Sequence, residues 1–261
     1  MQGRRLRRLI VILIVIIPTA SSPTTLVGIW TEKQVTISAD SKQTISQNGT
    51  ITGSQDACKI YEAHNLIFAL AGLAEAEQVN VVDHIRSGRE LVEQGTDRRL
   101  SLDSVIVSAE SAVAEVLKAR HVSTDPEVPI DLLIAGVIDG KLQMVKVEMS
   151  GMAIRGLLSL PMSTRRIAYP ESRGHDGTDP NRAIELVGVT DTLSRFQRIF
   201  PAWNMGDNIS VSRRLVAIEA SDTVASRVVG PPISTIIVDK RGARWIEKGA
   251  CDWDPTKPAR R

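Results

Sequence analysis

Two apolar runs joined by Asp139-Gly140 constrain the fold of this chain more than any other feature. The first run covers residues 130–137 and the second covers residues 142–147. An Asp-Gly pair between such runs is typical of a two-residue hairpin turn, because both residues readily adopt positive φ angles. The sequence therefore predicts antiparallel β-structure in the second half of the chain.

Strand and helix patterns alternate along the rest of the chain. Further strands are predicted in pairs, at 25–30 with 34–39, 59–61 with 66–70, and 233–238 with 243–246. Apolar residues at helical spacing predict helices at 74–93, 102–120, 182–187, 191–199 and 212–225. The polar stretch 41–56 is interpreted as a loop or irregular edge structure. Paired strands covered by pairs of helices predict an α+β layered sandwich.

The first 23 residues have the features of a secretory signal peptide. Four arginines precede a nine-residue apolar run at 9–17, and Pro18 and several small residues follow it. Such a run is short for a bilayer-spanning helix. We therefore expect an exported protein, periplasmic or extracellular. The alternative is an uncleaved leader that anchors the chain or associates it transiently with a membrane.

The charge of the mature body gives no reason to expect a nucleic-acid partner. The 261-residue chain has a formal charge of +2, but the four leader arginines supply four positive charges, so the remainder carries −2. A hydrophobic content of 43% suits one globular domain, predicted at 24–249, followed by a disordered tail at 250–261.

The cysteines and histidines indicate no metal or cofactor. Cys58 and Cys251 fit an oxidising compartment, as one disulfide or as two separate buried thiols. The histidines lack the spacing of metal ligands, and the sequence contains no phosphate loop, Gly-x-Ser-x-Gly elbow or Cys-x-x-Cys pair. We therefore predict chemistry that needs no metal or cofactor.

A threonine directly after the leader is a candidate partner for an aspartate on the first predicted hairpin. If that hairpin turns about Glu32, residue n faces residue 64 − n, so Thr24 lies opposite Asp40. Directly opposed residues project to the same face, with Cβ atoms about 5 Å apart. If processing exposes Thr24, its α-amine can act as a base for its own hydroxyl. A surface Thr–Asp pair is the other interpretation.

Several runs of residues carry a family resemblance. They are Thr24-Thr25-Leu26-Val27-Gly28-Ile29, Ile37-Ser38-Ala39-Asp40-Ser41-Lys42, Lys59-Ile60, Ala69-Leu70-Ala71-Gly72-Leu73-Ala74-Glu75-Ala76-Glu77 and Leu132-Leu133-Ile134-Ala135-Gly136-Val137. Together these runs resemble the proteasome β-subunit and its bacterial peptidase relatives, which are N-terminal nucleophile hydrolases. The resemblance implies their four-layer αββα sandwich.

The resemblance also implies a role for each matching residue. Thr24 would be the nucleophile, with its own amine as the base. Asp40 and Lys59 would form the charged pair beside it, and the backbone N–H of Gly72 would stabilise the oxyanion. Ser172 is the candidate for the family's distal serine. Pro23 stands where active family members usually carry glycine.

The resemblance implies a threonine-type peptidase or amidase that acts through a Thr24 acyl-enzyme. Its partners would be a peptide or amide substrate and, as is common in the family, further copies of the chain. The alternative is a catalytically inactive proteasome-like scaffold or partner-binding protein.

Overall fold

The computed structural model describes most of the chain after the leader. The described residues are 19–22, 24–47, 50–76, 79–87, 98–119, 130–151, 162–170, 181–190, 192–193 and 206–255. Among them, no helix combines the length and apolar content needed to cross a membrane.

The described chain is α+β, with antiparallel strands and few helices. In the first half the strands are β1 (Thr19–Ser22), β2 (Thr25–Thr31), β3 (Gln34–Asp40), β4 (Lys42–Gln47), β5 (Thr50–Asp56), β6 (Ile60–Ala63), β7 (Leu66–Ala76) and β8 (Val79–Asn80). In the second half they are β9 (Ile130–Ile138), β10 (Lys141–Gly151), β11 (Met162–Tyr169), β12 (Arg182–Gly188), β13 (Ile233–Asp239) and β14 (Gly242–Glu247). The helices are α1 (Val81–Ser87), α2 (Arg98–Ala119) and α3 (Asn208–Ser221).

The strands form two antiparallel sheets. The large sheet has the order β11-β10-β9-β7-β1-β4-β5, and β6 and β8 also pair with β7. The small sheet has the order β12-β2-β3-β13-β14. The chain passes from the large sheet to the small one between Ser22 and Thr25, so Thr24 lies at the crossing between the two sheets.

Apolar side chains pack these elements together in three clusters. One cluster joins α1 and α2 to the large sheet, and a second lies between the two sheets. A third joins α3 to the small sheet through Val27 and Ile29. Because β2 is apolar on both faces, it contributes to two clusters at once. Gly28 allows the sheets to approach closely, since a Cβ atom there would lie 2.5 Å from the Leu133 side chain.

Several predicted elements are confirmed. Asp139 and Gly140 form the turn between β9 and β10, both with positive φ. The hairpins at both ends of the domain are present as β2–β3 and β13–β14. Helices also occur at α2 and α3, close to the predicted bounds.

Three predictions are wrong. Residues 182–187 are a strand, β12, which pairs with β2 along its length. The polar stretch 41–56, predicted as a loop or irregular edge structure, contains the paired strands β4 and β5, of which β5 lies at the edge of the large sheet. The predicted helix at 74–93 begins only at Val81, because β7 continues to Ala76.

Part of the predicted tail packs against the domain. Cys251 is bonded to Cys58, and Trp253 packs edge-on against Trp245. The Trp253 indole N–H also donates to the carbonyl of Ile60 at 2.7 Å. Residues 256–261 lie outside the described residues.

Candidate active site

The carboxylate of Asp40, at the end of β3, is fully buried and surrounded by donors. It accepts hydrogen bonds from the backbone N–H groups of Thr25 at 2.9 Å, Lys42 at 3.0 Å and Gly230 at 3.2 Å. Lys59 Nζ lies 3.2 Å from Oδ1 and 3.1 Å from Oδ2. Four donors from four parts of the chain therefore fix this one group.

Lys59 is the cationic partner of Asp40 and is only 2% exposed. Its ammonium also donates to the carbonyl of Lys42. Burial lowers the pKa of Lys59 below its ordinary value, against the opposing attraction of Asp40. Burial likewise raises the pKa of Asp40, opposed by Lys59 and by the N–H groups of Thr25 and Gly230. A lysine with lowered proton affinity is suited to proton transfer.

A disulfide restrains the backbone next to Lys59 of the Asp40–Lys59 pair. Cys58, the neighbour of Lys59, is bonded to Cys251 near the end of the chain, and this decides between the two possibilities that the sequence leaves open. The following residue, Ile60, starts β6 and accepts the hydrogen bond from Trp253. The backbone on both sides of Lys59 is therefore anchored.

Thr24 is buried, and its hydroxyl oxygen has no hydrogen-bond partner in the described part of the chain. Its carbonyl oxygen accepts a hydrogen bond from Val189 N at 2.8 Å. The hydroxyl of Thr25 donates to the carbonyl of Val189 at 2.6 Å. Val189 is therefore hydrogen-bonded to both threonines, and the Asp40 carboxylate accepts a hydrogen bond from the Thr25 amide.

The expected pairing of Thr24 with Asp40 is wrong by one residue. Leu26 pairs with Ala39 and Trp30 with Val35, so residue n faces residue 65 − n and Asp40 faces Thr25. The reason is a two-residue turn at Glu32-Lys33, centred between those residues rather than on Glu32. Thr24 is therefore adjacent to the residue that Asp40 binds.

Gly72 lies in β7 opposite Ser22 of β1, and on its other side it pairs with Ile130 of β9. Its φ angle is +108°, a conformation that favours glycine. The backbone just before Thr24 thus runs along the strand that contains Gly72. Ser172, the fifth candidate, lies outside the described residues.

Sequence reasoning missed Gly188, Val189 and Gly230. Gly188 has φ of +82°, and a Cβ atom there would overlap the carbonyl oxygen of Thr24. The Gly230-Pro231-Pro232 run is a turn signal, but nothing in it indicates contact with Asp40, 190 residues away. No local pattern links these residues to Thr24.

Metal-ligating side chains do not gather at the site. Within the described ranges, no group of three or more His, Cys, Asp or Glu residues is arranged to hold a metal ion. The donors around the Asp40 carboxylate are backbone N–H groups and one buried ammonium.

Comparison of the sequence with protein-family models and with curated proteins finds no match. Solved structures do match, among them Anbu (ancestral beta-subunit) from Yersinia bercovieri, with a TM-score of 0.51. The two share 14% sequence identity over 86% of this chain and 88% of that chain. The fold is of the proteasome β-subunit type. At this level of identity the likeness shows the fold alone, and the chemistry must be argued from the residues.

Proposed function

We propose that this protein is a threonine-type N-terminal nucleophile hydrolase with the αββα sandwich of that class, acting on amide bonds through Thr24. The observation that carries the proposal is the buried Asp40–Lys59 pair bound to the amide of Thr25, next to a buried threonine hydroxyl without a partner. A buried polar group without a partner costs free energy, so its retention points to use in a reaction.

The nucleophile forms when the Pro23–Thr24 bond is cleaved. Cleavage gives Thr24 a free α-amine, whose pKa is about 7.7–8, so the neutral amine is available near neutral pH. The amine takes the proton of the Thr24 hydroxyl as the oxygen attacks a carbonyl carbon. Lys59, held by Asp40, supplies positive charge beside the developing alkoxide.

The reaction then follows acyl transfer. The backbone N–H of Gly72 stabilises the oxyanion, a contribution of about 2.7–4 kcal/mol for a well-placed donor. The protonated amine gives its proton to the leaving nitrogen, and the C–N bond breaks to leave a Thr24 ester. Water, deprotonated by the same amine, hydrolyses the ester and regenerates the threonine.

The place of β1 favours an extended peptide as the substrate. This short strand lies between β7 and β4 and pairs with both. Removing residues 1–23 would leave a strand-wide opening with backbone donors and acceptors on both sides. A peptide entering it as an added strand would bring its carbonyl past Gly72 to Thr24.

We also propose export of the protein, with residues 1–23 removed and residues 24–249 forming the hydrolase domain. The Cys58–Cys251 disulfide supports this location, because such bonds persist in oxidising compartments. Until cleavage, the leader would attach the chain to the membrane only transiently. Assembly with further copies of the chain is part of the same proposal.

Intact-mass measurement of the exported protein, combined with a fluorogenic peptide assay, tests the proposal. We expect the mature wild-type chain to begin at Thr24. The Thr24→Ala variant should lose hydrolysis. Thr164→Ala, on the exposed edge strand β11, is the matched control and should keep full activity. A peptide electrophile should add its mass to Thr24 alone. Activity retained in Thr24→Ala would place the nucleophile elsewhere.

Pro23 favours a second candidate, a catalytically inactive scaffold or partner-binding protein. A prolyl carbonyl is crowded, and attack on it would be slow. In this case the mature chain begins at Ser22 or earlier, so Pro23 still precedes Thr24 and blocks its amine, and the electrophile leaves the mass unchanged. The same mass measurement therefore separates the two functions.

A further inference from the structure

The end of the described chain lies against the segment that carries Lys59. Cys251 is bonded to Cys58, the residue before Lys59. Two residues further along, the indole N–H of Trp253 donates to the carbonyl of Ile60, the residue after Lys59, at 2.7 Å. The last part of the described chain therefore contacts the backbone on both sides of Lys59.

We call residues 248–253 the tail segment, and it contains no helix or strand. The small sheet holds it through side chains of β13 and β14. The hydroxyl of Ser234 in β13 donates to the carbonyl of Lys248 at 2.8 Å. The indole N–H of Trp245 in β14 donates to the carbonyl of Trp253 at 2.9 Å, and the two rings pack edge-on with centroids 4.9 Å apart. The tail segment thus connects the small sheet to the backbone around Lys59.

The Ile60 carbonyl receives its donor from the tail segment because of its place in β6. Among the described strands, β6 pairs with β7, and the carbonyl of Lys59 accepts the N–H of Leu70 in β7 at 3.2 Å. Successive carbonyls of an extended chain point to opposite edges, so the Ile60 carbonyl points away from β7. The Trp253 indole supplies there the donor that a neighbouring strand would supply.

We propose that Trp253 is a positioning residue for Lys59, acting through the Ile60 carbonyl. The Cys58–Cys251 disulfide keeps the indole in place, so hydrolysis depends on the oxidation state of the two cysteines. The inference rests on the proposed function, in which Lys59 supplies positive charge to the reaction.

Both ends of the Lys59 side chain determine where its ammonium lies. The ammonium is 3.1 Å from the nearer Asp40 oxygen and also donates to the carbonyl of Lys42. The aliphatic stem behind it is buried, and its base belongs to the backbone that the tail segment contacts. A misplacement of about 1 Å at an active site can cost about two orders of magnitude in rate. A displaced backbone at Lys59 would therefore move the ammonium relative to Asp40 and slow the reaction.

Reduction of the disulfide separates the tail segment from Cys58. A dithiol reductant such as dithiothreitol breaks the S–S bond, both cysteines become thiols, and the reductant is oxidised to its own disulfide. In the reverse direction, oxidised glutathione takes two electrons from the two cysteines and leaves as two glutathione thiols. In the reduced chain, hydrogen bonds and the packing on Trp245 are left to hold Trp253. We therefore expect the reduced protein to be the slower enzyme.

Amide exchange and NMR of the lysine test the proposal without an activity assay. Trp253→Phe keeps an aromatic ring next to Trp245 but removes the donor to Ile60. We expect exchange at Leu70, whose N–H donates to the Lys59 carbonyl, to accelerate about tenfold, as for loss of one hydrogen bond. The nitrogen resonance of the Lys59 ammonium should also shift. Unchanged exchange at Leu70 or an unchanged Lys59 resonance would overturn the proposal.

Trp30→Phe is the matched control. The Trp30 indole N–H likewise donates to a backbone carbonyl, that of Leu142 at 3.0 Å, but Trp30 lies at the end of β2 that is far from Thr25. This variant should change neither the exchange at Leu70 nor the Lys59 resonance. An equal response in Trp30→Phe would show that a general loss of stability causes the effect, and the proposal would fail.

The kinetic readout separates positioning from substrate binding. Trp253→Phe should lower kcat about tenfold with KM unchanged, and Trp30→Phe should keep both. If the wild-type protein hydrolyses nothing, the proposed function fails, while the exchange and NMR experiments still decide whether Trp253 positions Lys59.

A redox measurement on the wild-type chain covers the case in which Trp253→Phe does not fold. Dithiothreitol should lower kcat while circular dichroism shows a folded chain, and oxidised glutathione should restore kcat. The double variant Cys58→Ser/Cys251→Ser should start with the lower kcat and respond to neither reagent. Full kcat in the reduced wild-type protein would overturn the proposal.

Discussion

At the scale of single residues, the buried Asp40–Lys59 pair is the most demanding feature of the molecule. Removing two charges from water is expensive, and the cost is offset only if both groups are fully bonded. Asp40 achieves this with three backbone N–H groups and Lys59. Since two of those N–H groups belong to Thr25 and Lys42, the pair also fixes the backbone near Thr24.

Replacing Lys59 tests this account. Lys59→Met leaves the Asp40 carboxylate buried without its cation, and we expect the free energy of unfolding to fall by about 3–5 kcal/mol. Hydrolysis should also be lost. Urea denaturation provides the measurement, and Lys33→Met, at an exposed position in the β2–β3 turn, is the control. The double variant Asp40→Asn/Lys59→Met should recover part of the loss, and a Lys59→Met protein as stable as the wild type would contradict the account.

At the scale of elements, the end of β12 brings the two sheets together at Thr24. Among the described strands, β12 lies at the edge of the small sheet and pairs with β2 up to Gly188, which also lies close to Ala71 of the large sheet. Gly188 makes those contacts possible, because its positive φ and missing side chain let the backbone approach the Thr24 carbonyl.

Gly188→Ala is predicted to disrupt this approach. A non-glycine residue at this φ costs about 1–2 kcal/mol, and the added methyl group overlaps the Thr24 carbonyl. We therefore expect a loss of more than about 2 kcal/mol in urea denaturation and loss of hydrolysis. Gly53→Ala in β5 is the matched control, because a methyl group there meets no atom within 4 Å. Full activity in Gly188→Ala would show that the close approach does not matter.

At the scale of the whole molecule, the Cys58–Cys251 disulfide joins the residue before Lys59 to a residue near the end of the described chain. The bond spans 193 residues, so it restricts the unfolded chain strongly. It also keeps Trp253 in place on Ile60 and Trp245.

Loss of the disulfide is expected to lower the free energy of unfolding by about 2–5 kcal/mol. The double variant Cys58→Ser/Cys251→Ser should show this in urea denaturation, and the wild-type protein with a reductant should behave like the variant. The variant itself should not respond to reductant. Equal stability of the wild type with and without reductant would contradict the prediction.

Local signals account for the parts of the fold that the sequence predicted correctly. The Asp139-Gly140 turn is fixed by the φ angles of two residues, and the β9–β10 hairpin follows from it. In β12, by contrast, Ala183 and Val187 pack between the sheets while Ile184 and Leu186 face α3. The apolar residues of β12 lie on both faces of the strand and also match helical spacing, so periodicity cannot tell the strand from a helix, and its pairing with β2 decides. The polar residues of β4 and β5 likewise give no local strand signal, and only the pairing of β4 with β1 and β5 makes them strands.

For the site, the sequence alone determined the residue types, their order, and the candidates Thr24, Asp40, Lys59 and Gly72. Tertiary structure decided which of them meet. It set the β2–β3 register that places Asp40 opposite Thr25. It also brought Val189 into contact with Thr25 and Gly230 into contact with Asp40, each across more than 160 residues of sequence. The physical reason is that a strand's register and the packing of two sheets depend on contacts distant in sequence, for which no local pattern exists.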